Sequence, residues 1–410
     1  MLRAYKYRIY PTETQKVLLA KTFGCCRYIY NWALATKMTA YEKDKKSLSV
    51  FSLDKQIPKM KEAEETKWLA EVNAQSLQQS LKHLDAAYTR FFRDKKGFPK
   101  FKNKSSRNSF CNPQSTKIVG NKLVIPKFKK GIPIVLHREF TGEIRSSAVS
   151  KMPSGKYFVS ILVEDSEMEP KLKKPSEKKT LGIDLGLTNY LTDSNGDTVE
   201  NPRHLKWKLK KLQRAQRKMS RKKLGSKNWN KQRRKVAICH EKVANCRKDF
   251  LHKLTKKLVE SQDYDSIAME NLDVAGMLRT KKNRLSRHIA DAAWGEFKSL
   301  LTYKCQWYGK NLLTIGRFEP SSKLCPCGTL ASLTLADRVW MCVNCGEIHK
   351  RDELAAKNIR QFAFCKQNTK KDLVPQELRE RRVNRKINKK TPLEFSVRGT
   401  LKKEAAKALA

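Results

Sequence analysis

The sequence predicts a chain of mixed class, an α/β part preceded by all-β and helical parts. Three observations carry that expectation. Two apolar runs end in carboxylates, Leu181-Gly-Ile-Asp-Leu-Gly186 and Ile267-Ala-Met-Glu270, and read as buried strands with helical sequence between them to bring the chain back to one sheet. Short β-like runs divided by turn signals fill residues 98–163, and helical stripes fill 11–95.

Taken in order, residues 1–10 predict a strand with Tyr5, Tyr7 and Ile9 on one face and Lys6 and Arg8 on the other. Pro11 ends it. Thr12-Glu-Thr-Gln15 has capping-box spacing, and Val17, Leu18, Phe23, Ile29 and Trp32 give the next helix an apolar stripe. Helices are also predicted over 55–67 and 74–92, the second with Leu77, Leu81, Leu84, Tyr88 and Phe91 on one side and Gly97-Phe98-Pro99 as its stop. The runs 122–126, 132–136 and 157–163 predict a small barrel, which the first strand joins, making the helices an insertion. Residues 171–179 are a charged linker. Ser194-Asn195-Gly196 marks a hairpin between 190–193 and 197–200. A basic helical region follows over 203–260, then a helix over 281–307 with Trp294, Phe297, Leu300, Leu301 and Trp307 in the core, and a strand over 312–315.

Charge decides the class of partner. The 410 residues carry 88 Lys and Arg against 40 Asp and Glu, a net charge of +48, which calls for a polyanion. No apolar run approaches the roughly 20 residues that would span a bilayer, and the N-terminus lacks a signal-peptide core. A membrane partner is therefore not expected. In a reducing cytoplasm or nucleus the eleven cysteines read as thiols and metal ligands rather than disulfides. The basic region carries Arg217-Lys218 and Arg221-Lys222-Lys223 with few acidic residues between, a run that repels itself unless phosphates lie nearby.

Three carboxylates are candidates for one site. Asp184 and Glu270 sit at the ends of core strands, where an ionised carboxylate costs several kcal/mol, roughly, unless compensated. Asp352 falls in the first turn of a helix marked by Ala355, Ala356 and Ile359, where the dipole favours negative charge. A divalent cation would compensate all three, and hard carboxylate oxygens select Mg²⁺ or Mn²⁺. Separately, Cys325-Pro-Cys327 and Cys342-Val-Asn-Cys345 suit a tetrahedral Zn²⁺. The first pair is one residue shorter than the usual Cys-x-x-Cys. Either its loop adapts, His349 substitutes, or the site is degraded.

These motifs, with Arg247-Lys-Asp-Phe-Leu-His-Lys253, Asp291-Ala-Ala-Trp-Gly-Glu-Phe297, Ser321-Ser322 and Arg351-Asp-Glu-Leu-Ala-Ala-Lys-Asn-Ile359, resemble the TnpB family, RNA-guided nucleases of insertion sequences related to miniature type V CRISPR effectors. The resemblance implies a RuvC-like nuclease of ribonuclease-H fold over 171–319 and 347–365, with a zinc ribbon inserted at 320–346. Ahead of it would stand a wedge-like β-barrel (1–10 and 96–170) with a helical recognition insert (11–95), and after it a basic tail, 366–410. It implies Asp184, Glu270 and Asp352 as a catalytic triad in which two Mg²⁺ ions about 4 Å apart hydrolyse the phosphodiester. It also implies a guide RNA from the transposon end, double-stranded target DNA cut beside a short target-adjacent motif, a monomer with RNA, and the prokaryotic cytoplasm near the nucleoid. Within the helical insert, Phe51 and Gln78-Gln79 are candidates for reading that motif, because Gln can pair bidentately with adenine in the major groove. Beside Asp352, Lys350 and Leu354 depart from the Asp and Asn often found in the family. Two alternatives are a catalytically inactive RNA-guided repressor and an ATPase of the actin-like class. The second rests on Gly182-Ile-Asp-Leu-Gly-Leu-Thr188 as a phosphate loop, but no second glycine-rich loop accompanies it.

Overall fold

The structure, a computed structural model, describes residues 1–368 apart from 106, 166–169, 280–284 and 335. The described residues divide into two compact units, one up to residue 165 and one from residue 170 to 368.

The first unit begins with β1 (Leu2–Ile9), whose alternation buries Tyr7 and Ile9 and exposes Lys6 and Arg8. A complete capping box at Thr12 and Gln15 starts α1 (Glu13–Asp44). After a short α2 (Val50–Asp54), the helix expected over 55–67 is instead two pieces, α3 (Ile57–Glu62) and a 3₁₀ segment (Glu64–Glu71). Pro58 can occupy only the first turn of α3, so it forces a new start rather than a continuous helix. Next, α4 (Ala74–Arg93) fully buries Leu77, Leu81 and Leu84, about 1.5–3 kcal/mol each.

Six strands complete this unit: β2 (Asn108–Asn112), β3 (Lys117–Val119), β4 (Lys122–Ile125), β5 (Phe128–Val135), β6 (Glu143–Lys151) and β7 (Tyr157–Glu164). With β1 they pair in the order β2-β6-β7-β1-β5-β4-β3, so β1 joins the sheet as the sequence predicts. The sheet has two ends, β2 and β3, with no ladder between them among the described residues. Helices and strands share one core, in which Phe23 of α1 meets Phe110 of β2 at 5.5 Å.

The second unit is built on β8 (Thr180–Leu185), β9 (Asn189–Asp193) and β10 (Thr198–Glu200), followed by α5 (His204–Ser220), α6 (Lys227–Glu260) and β11 (Ser266–Met269). Then come α7 (Val274–Arg279), α8 (Ser286–Ala292), α9 (Trp294–Trp307), β12 (Asn311–Thr314), β13 (Val339–Met341), β14 (Ile348–Lys350) and α10 (Arg351–Asn368). The single helix expected over 281–307 breaks at Ala293, which takes a left-handed φ of 53° between α8 and α9; residues 281–284 of that expectation lie outside the described residues. The tail at 369–410 lies outside them too.

Five strands form one sheet in the order β10-β9-β8-β11-β12, with β8, β9 and β10 antiparallel and β8, β11 and β12 parallel. That order puts β8 and β11 side by side and parallel, with β8 at the centre of the sheet. Both faces are covered, which is why β11 is buried at every position. On one face Leu181, Ile183, Ile267 and Met269 pack with Leu251 and Leu254 of α6 and Phe297 and Leu301 of α9. On the other, Ala268 packs with Ile359 and Phe362 of α10.

Candidate nuclease centre and cysteine cluster

Alternation along the two central strands puts two carboxylates on the α10 face. Ile183 and Leu181 point to the α6 and α9 side, so Gly182 and Asp184 turn the other way; likewise Met269 and Ile267 turn away from Glu270. In the parallel ladder Met269 lies opposite Ile183, so the next step along each strand brings Glu270 alongside Asp184, with strands about 4.8 Å apart. Asp352 enters from above in the first turn of α10, the helix that packs on β8.

The electrostatics agree with this placement. Burial first, then the charges of Glu270 and Asp352, push the Asp184 carboxyl up from 3.8 to about 7, against the opposing pull of the Leu185 amide and the Arg351 charge. Asp184 is half-buried, as are Glu270 and Asp352. Glu270 accepts a hydrogen bond from the Ser321 hydroxyl, and Asp352 lies 3.4 Å from the Arg338 guanidinium. Such a group of negative oxygens, turned partly to solvent, fits hard divalent cations. The three carboxylates offer oxygen donors alone, the type that suits Mg²⁺, Ca²⁺ or Mn²⁺. Among the described residues, the clusters whose ligand atoms all lie within 4.8 Å of one another are both built on cysteine, so the three carboxylates form a wider cradle than a single-ion cage.

The cysteine cluster is compact. The sulfurs of Cys325 and Cys345 are 3.6 Å apart and those of Cys327 and Cys342 3.5 Å apart, close to the edge of about 3.8 Å that four bonds of 2.3 Å impose on a tetrahedron. The shortened pair does not prevent convergence: Gly328, at φ 90°, turns the loop back so that the Cys325 amide bonds the Thr329 carbonyl. Hydrogen bonds from Thr329 pull Cys327 down to about 5, and the Cys345 and Asn344 amides pull Cys342 down, whereas burial pushes the Cys325 thiol up to about 12 and Cys345 is also raised, so a metal would displace protons from those two. These four residues could hold a metal. His349 is buried against Trp340 with Nε2 3.1 Å from the Cys325 sulfur, a hydrogen-bonding neighbour beside a complete set of four thiols.

The remaining candidates are at surfaces. Arg217 and Lys218 end α5, and Arg221, Lys222 and Lys223 form the turn to α6; all five are exposed. The helical hairpin of α5 and α6 is anchored at the end away from this turn through Asp291, which pairs with Arg247 at 2.7 Å and accepts from the Leu205 amide at 3.0 Å. In the first unit Phe51 is exposed under Lys55, Gln78 donates to Asp54 of α2, and Gln79 is half-buried. Of the other cysteines, Cys25 and Cys26 are buried, whereas Cys246 is half-buried and accepts from the Lys208 ammonium at 2.7 Å. Sequence reasoning missed the partners Arg338 and Asn358. Asn358 had a signal: it is a polar residue between Ala355, Ala356 and Ile359 on an otherwise apolar face.

The fold and the cysteine cluster together define the class, an α/β unit with a mixed five-stranded sheet carrying a cysteine ribbon between β12 and α10. Comparison with known proteins agrees. Residues 160–281 match the OrfB_IS605 family, described as "Probable transposase", residues 1–46 a helix-turn-helix domain of the same group, and residues 294–359 the Cas12f1-like TNB domain. A Streptomyces pristinaespiralis protein named as an RNA-guided DNA endonuclease is 40% identical over 363 residues, 87% of this chain and 88% of that one. InsQ of Escherichia coli K12, named likewise, is 32% identical over 80% of this chain and 84% of its own. TnpB-like protein L79 of Acanthamoeba polyphaga mimivirus is 25% identical over 86% of this chain and 72% of its own. The chain belongs to the TnpB family. Its fold is also like that of Cas12f1 in a complex with sgRNA and target DNA, with a TM-score of 0.55 at 13% identity over 88% of this chain and 98% of that one.

Proposed function

We propose that this chain is an RNA-guided DNA endonuclease of an insertion sequence, cutting guide-complementary DNA beside a short target-adjacent motif. The observation that carries the reading is the ladder register of β8 and β11, which sets Glu270 beside Asp184 on the face where Asp352 begins α10. Asp184, Glu270 and Asp352 would hold Mg²⁺ or Mn²⁺, which when bound would supply activation of water and charge stabilisation for phosphodiester hydrolysis. The protein's own part is to keep three like charges close enough that a cation is required: without one, Asp184 retains its proton to near neutral pH.

In this reading the RuvC-like nuclease covers 171–319 and 347–365, and Cys325, Cys327, Cys342 and Cys345 hold Zn²⁺ in the ribbon at 320–346. The sheet of the first unit, 1–10 and 96–170, acts as a wedge, barrel-like in the manner of the family. The helices of 11–95 act as the recognition insert, with Phe51, Gln78 and Gln79 facing the motif. The exposed Arg217, Lys218, Arg221, Lys222 and Lys223 contact guide or target phosphates, leaving sequence choice to base pairing. The working form is a monomer with its guide RNA in the prokaryotic cytoplasm. Asp184→Ala tests this: the RNA-loaded variant should bind guide-matched DNA but leave it uncut in Mg²⁺. A wild-type complex that binds and never cuts would instead make the chain an RNA-guided repressor.

A further inference from the structure

Glu270 stands one residue beyond the end of β11, half-buried and on a side chain with three free torsions. Something must fix it if its oxygens are to meet an ion repeatedly in one geometry, since an unanchored glutamate loses side-chain entropy on each encounter. The contact that does so comes from the other side of the cysteine ribbon. Ser321, buried with 5% of its surface exposed, donates its hydroxyl to Glu270 Oε1. Ser321 is in turn fixed by Asn358 of α10, 3% exposed, whose Nδ2 donates to the Ser321 carbonyl and to the Leu324 carbonyl, both at 2.7 Å. Both hydrogens of that amide are thereby used, and the main chain leading into Cys325 is clamped to the helix that begins with Asp352.

We propose that Ser321 is a positioning residue for Glu270: its hydroxyl occupies one carboxylate oxygen, leaving the other for the divalent cation, and Asn358 ties that arrangement to the helix bearing Asp352. The inference rests on the nuclease reading above. Its physical content is that two ligands from distant parts of the sequence move as one body through the chain α10, Asn358, Ser321, Glu270. A carboxylate ligand oriented by a hydrogen-bonded neighbour loses on the order of tenfold in metal affinity when that neighbour is removed.

The experiment uses the full chain loaded with guide RNA and bound to matched DNA. Mn²⁺ is titrated into wild type, Ser321→Ala, Ser321→Thr and Asn358→Ala while both single-turnover cleavage and Mn²⁺ binding by water-proton relaxation are followed. The Asp184→Ala complex serves as the blank for ions held by nucleic acid. Ser321→Ala should raise the Mn²⁺ concentration for half-maximal cleavage and the relaxation-derived dissociation constant together, by on the order of tenfold, with DNA binding and thermal midpoint unchanged. Ser321→Thr, which keeps the hydroxyl, should return both towards wild type, and Asn358→Ala should shift them in the same direction as Ser321→Ala. An unchanged metal dependence in Ser321→Ala overturns the proposal, whether or not stability falls. If the wild-type complex binds Mn²⁺ without cutting, the nuclease reading fails alone, because the relaxation titration still decides the role of Ser321.

Discussion

Gly182 of β8 lies against the carbonyl of Ala356 in α10 so closely that a Cβ on the glycine would stand 2.0 Å from that oxygen. The glycine is thus what lets the Asp352 helix settle directly on the strand carrying Asp184. Gly182→Ala should push α10 off the sheet and destabilise the second unit by about 1–3 kcal/mol or more, as overpacking does, with loss of cleavage. Gly24→Ala is the control, since its site in α1 meets nothing within 4 Å and alanine there should stabilise by up to about 1 kcal/mol. Urea denaturation of both variants checks the pair; equal midpoints would refute the close-approach argument.

How far the sequence could be read follows from the same geometry. Asp184, Glu270 and Asp352 were legible because each interrupts an apolar pattern whose period already tells strand from helix. The strands β2 and β6 were not, because polar Asn112, Ser147 and Ser150 share their buried positions with the apolar Phe110 and Val149. Asn112 and Thr116 meet Ser147, with Thr116 and Ser147 hydroxyls 2.7 Å apart, so the apolar alternation is interrupted. Ala293 breaks the 281–307 helix without glycine or proline. Packing of Ile289, Ala292 and Trp294 into the core, together with the Ala293 amide bonded to the Ile289 carbonyl, overrides local preference there. The Ser321 to Glu270 bond spans 51 positions and has no local trace.

The pKa of Asp184 makes a prediction about the metal-free chain. Its folded value, about 7, lies above the 3.8 of the free side chain, so between those values the native state holds a proton that the unfolded state has lost. Stability contributed by that proton is complete below about pH 4 and disappears as pH rises through 7. Asp184→Asn, which cannot ionise, should therefore match wild type near pH 4 and exceed it at pH 8 by roughly 1–3 kcal/mol in EDTA. Added Mg²⁺ should close the gap by stabilising wild type alone. Denaturation at the two pH values measures this, and a variant less stable than wild type at pH 8 without metal would contradict it.

The cysteine cluster separates two ligand sets. With four sulfurs already at tetrahedral spacing, elemental analysis should find about one zinc per chain, lost in Cys342→Ser. His349→Ala should keep the zinc but release it to a chelator on the order of tenfold more readily, because the imidazole then acts as a neighbour of the Cys325 sulfur. Loss of zinc from His349→Ala would make the histidine a ligand and leave Cys327, the residue on the shortened loop, as the spare thiol.

The basic turn between α5 and α6 allows a test that does not depend on cleavage. Phosphate contacts release condensed counterions, so affinity falls with salt along a slope of about 0.9 per contact on duplex and about 0.7 on single strands. Arg217, Lys218, Arg221, Lys222 and Lys223 are exposed and lie within one short stretch at the turn from α5 to α6. Replacing all five with glutamine should flatten the salt dependence of guide RNA or target binding by up to about 4 logarithmic units per unit log salt, in proportion to the number that touch phosphate. The loss should be uniform across guide sequences, since backbone contacts carry no base information. Replacing five exposed lysines outside the recognition insert, at 117, 122, 127, 129 and 130, supplies the comparison for net charge alone. If both sets change the slope equally, the hairpin is a solvated helix pair and the nucleic acid lies on another face. A larger change for the hairpin set assigns the phosphates to it, and the five single variants then count them.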